Sequence, residues 1–322
     1  MYEMSMTCNS PVTWLLPVRN GMPYLPLTLE SIAAQTYTNT EIIAWDNNST
    51  DDTLKELRRW IPRRIPGRIV SDRPMALGLS LAAMVNLAKT ELCARIDADD
   101  INLPSRLEKQ VAFLQAHPEV GMVGSQVTTI DQAGAQLERW RLSTADAEIR
   151  WQLRWKNPIS HPSVLFRKSV ILRAGNYRDC PSAEDFDLWL RVAELVEIRN
   201  LPEVLLNYRR SPASVMAGVT DHISIERSVM NKNVTQLFPN MPEPDATELW
   251  EATHPREPQR SPRLRHLLDL GRNARQFAKR VGKPPAYFSK TEIFLRQEDR
   301  NKIHLYQRMH LASVVRWRRG VR

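Results

Sequence analysis

Asp97, Asp99 and Asp100 crowd into four residues at the end of an apolar run, LCARIDADD. Carboxylates this close repel one another unless a cation or a basic group offsets them. Hard oxygen ligands suit Mg2+ or Mn2+, which keep several waters and also bind a substrate phosphate. In open α/β sheets, ligands sit outside the carboxyl ends of the strands, where this cluster falls. Asp97 and Asp99 are two apart, so in a strand that continued through them both would point to one side. A calcium loop of the EF-hand type fits poorly. Glu108 holds the twelfth place, but Ile101 stands fifth and Asn102 stands where the sharp turn needs glycine. Two other readings stay open on these residues alone. The acids could begin a loop or cap the helix near Pro104, or serve a phosphatase as nucleophile and acid.

The elements that must hold these acids surround them. VTWLLPV (12–18) has the apolar density of a buried strand, and residues 25–35 place Leu25, Leu29 and Ile32 at near-helical spacing. EIIAWD (41–46) is a second strand; the turn Asn47–Asp52 then caps the helix TLKELRRW. RIV (68–70), a helix over 78–89 and the strand ELCARID follow. This alternation predicts an α/β fold with a mainly parallel, doubly wound sheet flanked by helices. Residues 104–117 read as a helix and VGMVGSQVTTID as a strand. HPSVLFRKSVILRAG reads as a strand then a helix, and FDLWLRVAEL as an amphipathic helix with Phe186, Trp189, Leu190 and Ala193 on one face.

The chain of 322 residues is long enough for a large α/β domain plus an extension. Its Lys and Arg residues are unevenly placed. Residues 211–322 hold 20 of them against 11 Asp and Glu, while residues 1–210 hold 25 of each. The style changes at the same place, where FPNMPEPD and THPREPQRSPR are proline-rich and polar. The expected division is a catalytic domain over 1–211 and a basic, proline-interrupted helical region over 212–322. Cys8, Cys93 and Cys180 are scattered and make no metal-ligand spacing, which fits a reducing compartment. The start lacks a basic segment followed by an apolar one, and no run approaches the ~20 apolar residues of a spanning helix. The expectation is a cytoplasmic protein that meets a membrane, if at all, from the side. LASVVRWRRGVR offers that contact, with Leu311, Val314 and Val315 beside Arg316, Arg318, Arg319 and Arg322 on an anionic leaflet. A helix packed on the catalytic domain with a solvated Arg face is the competing reading. Nucleic acid is a minor option, since neither zinc spacing nor an RNA-recognition signature is present.

Five stretches in order resemble the inverting glycosyltransferases of family 2, of the bacterial surface-polysaccharide type, which have the nucleotide-sugar-binding GT-A fold. They are VTWLLPVRNG, LTLESIAAQTYTNTEIIAWDNNSTDDT, LGLSLAAMVNLAKTELCARIDADD, HPSVLFRKSVI and AEDFDLWLR. The resemblance covers about two-thirds of the chain and leaves the C-terminal third unexplained. It implies a nucleotide-diphosphate sugar donor, UDP-linked, and a glycan or lipid-linked hydroxyl as acceptor. Pro17, Arg19, Asp46 and Asn47 would line the donor mouth. The family often has two acids where this chain has Asp46 and Asn47, and Asn47 would accept from the base through its oxygen. Asp97 and Asp99 would take the DxD role: Asp99 ligates the metal, and Asp97 reaches the ribose or a metal-bound water. Asp185 matches the catalytic base, which takes the acceptor proton as oxygen attacks C1. His161 and Glu184 fall beside the acceptor or a phosphate. Two alternatives accompany this reading: a nucleotide-sugar-binding scaffold without turnover, and a nucleotidyltransferase. The latter lacks a Gly-rich, Lys-bearing phosphate loop after the first strand.

Overall fold

The structure, a computed structural model, describes residues 10–210, 229–230, 241–253, 264–285 and 287–290. Strand β1 (Val12–Val18) is buried at every residue, as a strand covered on both faces must be. It pairs in parallel with β2 (Thr40–Asp46) and β4 (Leu92–Arg95), and β2 pairs in parallel with β3 (Gly67–Val70). Helices α1 (Leu25–Ala33), α2 (Thr53–Trp60) and α3 (Leu77–Leu87) make the connections. Pro26 sits in the first turn of α1, where its missing N–H breaks no helical bond. Leu25, Leu29 and Ile32 of α1 join Trp14, Leu16, Ile42 and Ala44 in one apolar core. Because these strands are parallel, the registers Val18–Asp46 and Leu15–Arg95 bring three carboxyl ends to one edge.

The rest of the sheet is mixed. Its order is β3-β2-β1-β4-β8-β6-β9-β5, with β7 on β6. The further strands are β5 (Ile101–Asn102), β6 (Val120–Ile130), β7 (Gln136–Arg139), β8 (Leu165–Arg167) and β9 (Glu197–Arg209). β8 runs against both β4 and β6, whereas β9 lies parallel to β6. Helices α4 (Arg106–Ala116), α5 (Asp146–Gln152), α6 (Lys168–Arg173) and α7 (Glu184–Ala193) complete this half. β5, β7, β9 and α5 go beyond the sequence reading. β9 hides because Pro202 interrupts its pattern. Its pairing jumps from Leu201–Ser125 to Val204–Gln126, so Pro202 and Glu203 bulge out of the ladder. One expectation is corrected: the strand does not continue through the acids. β4 ends at Arg95, and residues 97–100 form a turn.

The chain packs as two compact units, residues 1–153 with 157–225, and residues 154–156 with 226–322. In the second, α8 (Glu243–Thr253) buries Ala246 and Trp250. Helix α9 (Leu264–Arg280) buries Ala274, Phe277 and Ala278, and Phe288 of α10 (Tyr287–Lys290) stacks on Phe277 at 5.1 Å. The expected boundary at 211/212 and the basic segment 311–322 lie outside the described residues. Among the described residues no helix is long and apolar enough to cross a membrane.

Candidate active site

The acidic turn follows β4 because β4 is central and its neighbours clamp it. The Thr28 hydroxyl donates to the Asp100 carbonyl at 2.8 Å, and Asn102 N–H donates to Ser31 Oγ at 3.1 Å. Arg209, at the end of β9, donates its backbone N–H to Asp100 Oδ1 at 2.8 Å and its Nε to the Asp99 carbonyl at 2.9 Å. One oxygen from each of Asp97, Asp99 and Asp100 falls within 4.8 Å of the others. The turn thus recruits Asp100, a third acid beyond the two of the DxD pattern. Arg95 holds both oxygens of Asp97, at 2.5 and 2.6 Å. The Asp99 carboxyl is pushed up to about 6, by burial first and then by the charge of Asp97. Burial also drives the Asp100 carboxyl well above its ordinary range.

A second acidic group stands at the start of α7. Glu184 is buried and Asp185 partly so, with 18% of its side chain exposed. Glu184 and Asp185 lie in the first turn, where the helix dipole favours negative charge. Asp185 Oδ2 accepts from the Asn157 amide at 2.7 Å, and its Oδ1 accepts from Phe186 N–H at 2.7 Å. Burial raises its carboxyl to about 6, opposed by Phe186 N–H, the Arg95 charge and Asn157. Glu184 rises to about 7, through burial and the charge of Asp185. His161 Nδ1 lies 3.7 Å from Glu184 Oε1 and 3.9 Å from Asp185 Oδ2, while its Nε2 meets Tyr177 Oη at 3.0 Å. Burial and the Arg95 charge hold this imidazole well below its usual range, so it is neutral. Asp187, by contrast, is tied to Arg191 at 2.6 Å. Helix α7 is set against α3 through Gly78, where a Cβ would lie 2.3 Å from the Arg178 carbonyl and 3.2 Å from Glu184 Cβ.

The candidate donor residues gather at the ends of β1 and β2. Pro17 is buried opposite Trp45, and Arg19 is exposed in the following loop. Asp46 is buried, and its Oδ1 accepts from Ser49 N–H at 3.3 Å. Asn47 N–H extends the β1–β2 pairing to the Val18 carbonyl at 2.8 Å. The Asn47 side-chain oxygen accepts from Met75 N–H at 3.0 Å. That oxygen keeps a second lone pair, and the side-chain NH2 adds two donors beside it.

The pattern described as "Glycosyl transferase family 2" matches residues 13–173, half of the chain. The chain belongs to glycosyl transferase family 2. Like other enzymes of this family, it is a glycosyltransferase. It is 35% identical over 183 residues to the amylovoran biosynthesis glycosyltransferase AmsE of Erwinia amylovora, covering 56% of this chain and 68% of that one. Among solved structures, S. aureus TarS 1-349 in complex with UDP-GlcNAc superposes with a TM-score of 0.61 at 15% identity, over 84% of this chain and 81% of that 1-349 chain. The mannosyltransferase PcManGT of Pyrobaculum calidifontis, in complex with GDP-Man and Mn2+, gives a TM-score of 0.55 at 18% identity, over 95% and 86%. These likenesses establish the GT-A fold.

Two observations bear on whether this family 2 chain can hold a divalent cation. The donor set is three carboxylates, the hard oxygen chemistry that Mg2+ and Mn2+ take. Asp100 Oδ2 is buried with no hydrogen-bond partner, an oxygen that a cation would satisfy. The residues fit. Asp97 also carries the Arg95 fork on its two oxygens, a cation that Asp99 and Asp100 do not share as an ion pair. Arg95, Asn157, Tyr177 and Arg209 are the participants that motif spacing missed. For Arg95 the signal was present: a charged residue inside a buried strand segment needs a partner.

Proposed function

We propose that this chain is an inverting, metal-dependent glycosyltransferase. It transfers a sugar from a nucleoside diphosphate sugar, UDP-linked in the first instance, to a hydroxyl of a glycan or lipid-linked acceptor. The observation that carries this is the pair of carboxylate groups, Asp97–Asp99–Asp100 and Glu184–Asp185, that share the field of one buried Arg95. The reading assigns the first group to the donor and the second to the acceptor. A bound Mg2+ or Mn2+ would offset the charge that builds on the departing diphosphate. Asp99 and Asp100 would hold it. The Asp185 carboxylate, raised but ionised above about pH 6, takes the acceptor O–H proton while that oxygen bonds to C1. The bond from C1 to the diphosphate breaks and its electron pair leaves with the diphosphate. The relative in amylovoran biosynthesis supports a polysaccharide acceptor. The fold itself does not choose the base, since one neighbour holds UDP-GlcNAc and the other GDP-Man.

The test is release of nucleoside diphosphate from a panel of UDP-, dTDP- and GDP-sugars with Mn2+. Asp185→Asn is expected to lower turnover about 10²–10⁴-fold, the range a general base supplies, with donor affinity kept. A non-catalytic binding protein would bind donor and release nothing. Full turnover by Asp185→Asn, or neither binding nor release with any donor, would overturn the proposal.

A further inference from the structure

Arg95 is an unusual residue for a central strand. It is 3% exposed, and its backbone is fixed on both sides. Its N–H donates to the Val164 carbonyl at 3.0 Å, and its carbonyl accepts from the Arg106 guanidinium at 2.8 Å. Arg106 is itself fully buried, holds Asn102 and Gln110, and lies over the Trp14 ring at 5.2 Å. The start of the Arg95 side chain is therefore set by the core and not by the site. From there the guanidinium forks onto both Asp97 oxygens. Its Nε–H is buried without a partner, so one donor remains uncommitted. The same charge acts on Asp99, Asp100, Glu184 and Asp185. Asp185 stands beside Glu184 on its own helix, His161 of the 3-10 turn His161–Ser163 at 3.9 Å and the Asn157 amide at 2.7 Å, Tyr177 joins through His161 at 3.0 Å, and the charge of Arg95 acts on it from β4. Of these groups Arg95 carries the positive charge, since His161 is neutral.

We infer that Arg95 is a positioning residue for glycosyl transfer: its fork fixes Asp97 beside the acidic turn, while the same buried charge acts on Glu184 and Asp185 at the start of α7. The inference rests on the proposed transfer reaction and adds a residue to it. One side chain then serves both halves of the reaction. The fork is a matter of shape, which lysine lacks, whereas the field is a matter of charge, which lysine keeps. That difference separates the two roles.

The experiment compares wild type, Arg95→Gln, Arg95→Lys and Asp185→Asn. Mn2+-dependent release of nucleoside diphosphate from the best nucleotide sugar of the panel is followed from pH 5 to 9, with water as acceptor, beside thermal melting. Arg95→Gln should move the acid limb of kcat/KM up by about one pH unit, as loss of a nearby opposite charge does. Arg95→Lys should leave that limb in place but raise the donor KM about tenfold, because one ammonium cannot hold both oxygens of Asp97. An unmoved limb in Arg95→Gln overturns the inference. So does an equal, pH-independent loss in both variants, or failure of both to fold, since either makes Arg95 a purely structural residue. A wild type without turnover sinks the transfer reading and this inference together. An active wild type matched by both Arg95 variants sinks this inference alone.

Discussion

Replacing Asn157 with Ala removes the 2.7 Å hydrogen bond that its amide donates to Asp185 Oδ2. That bond favours the ionised carboxylate, so its loss raises the Asp185 pKa further. Hydrogen bonds to charged groups contribute about 1.5–3 kcal/mol. Asp185 keeps Phe186 N–H at 2.7 Å and the Arg95 field, so the low end applies. About 1.4 kcal/mol is roughly one pH unit, which moves the carboxyl from about 6 toward about 7. A base works only when deprotonated, so the loss depends on pH. In kcat/KM it should be about fivefold at pH 6, about twofold at pH 7 and negligible at pH 9. The assay is nucleoside diphosphate release across that range with saturating Mn2+. A loss of equal size at every pH would refute the argument, because it would mean that Asn157 acts through geometry alone. An unchanged profile would refute it as well.

Two further outcomes follow from packing and charge. Gly78→Ala places a methyl 2.3 Å from the Arg178 carbonyl, beside Glu184 Cβ. It should cost about 1–3 kcal/mol of stability, as overpacking does, and lower kcat/KM by shifting the start of α7. A wild-type melting curve and wild-type activity would contradict this. Asp99 is raised in the folded state to about 6 from 3.8, so its contribution to stability is complete below about pH 3.8 and lost as pH rises through 6. Asp99→Asn should therefore raise the metal-free Tm at pH 7 by several degrees, since a rise of about two pH units corresponds to at most about 3 kcal/mol and each 1 kcal/mol shifts Tm by about 2–4 °C in a domain this size. It should also abolish the rise that Mn2+ produces in the wild type. Equal Mn2+ stabilisation of both proteins would rule out Asp99 as a ligand.

The parallel half of the fold was readable because its strands are unbroken apolar runs separated by helices of clear period, as in Val12–Val18 and Leu25–Ala33. In the other half β6, β8, α4, α6 and α7 were readable too, but β5 and β9 were not, because their signals are long-range. β5 has two residues and exists only through pairing with β9, and β9 carries a proline that reads as a break until the bulge is seen. Arg191 was legible, since an i,i+4 acid such as Asp187 lies on its own helix. Asn157, Tyr177 and Arg209 could not be found from spacing. Asn157 lies 28 residues from Asp185, and Arg209 lies 109 residues from Asp100. The acids of the turn announced a charged site but not its internal division. That depends on Arg95 having taken Asp97.

The union of Arg209 with the turn at 99–100 has a temporal meaning. A nascent chain can close β3-β2-β1-β4 as soon as residue 95 has emerged, since all four strands lie upstream of that residue. The carbonyl of Asp99 and the carboxyl of Asp100 still wait for a cap that is synthesised more than a hundred residues later. The acidic turn is thus completed last, after the parallel strands, and a chain stopped short of Arg209 would keep it loose and mutually repelling.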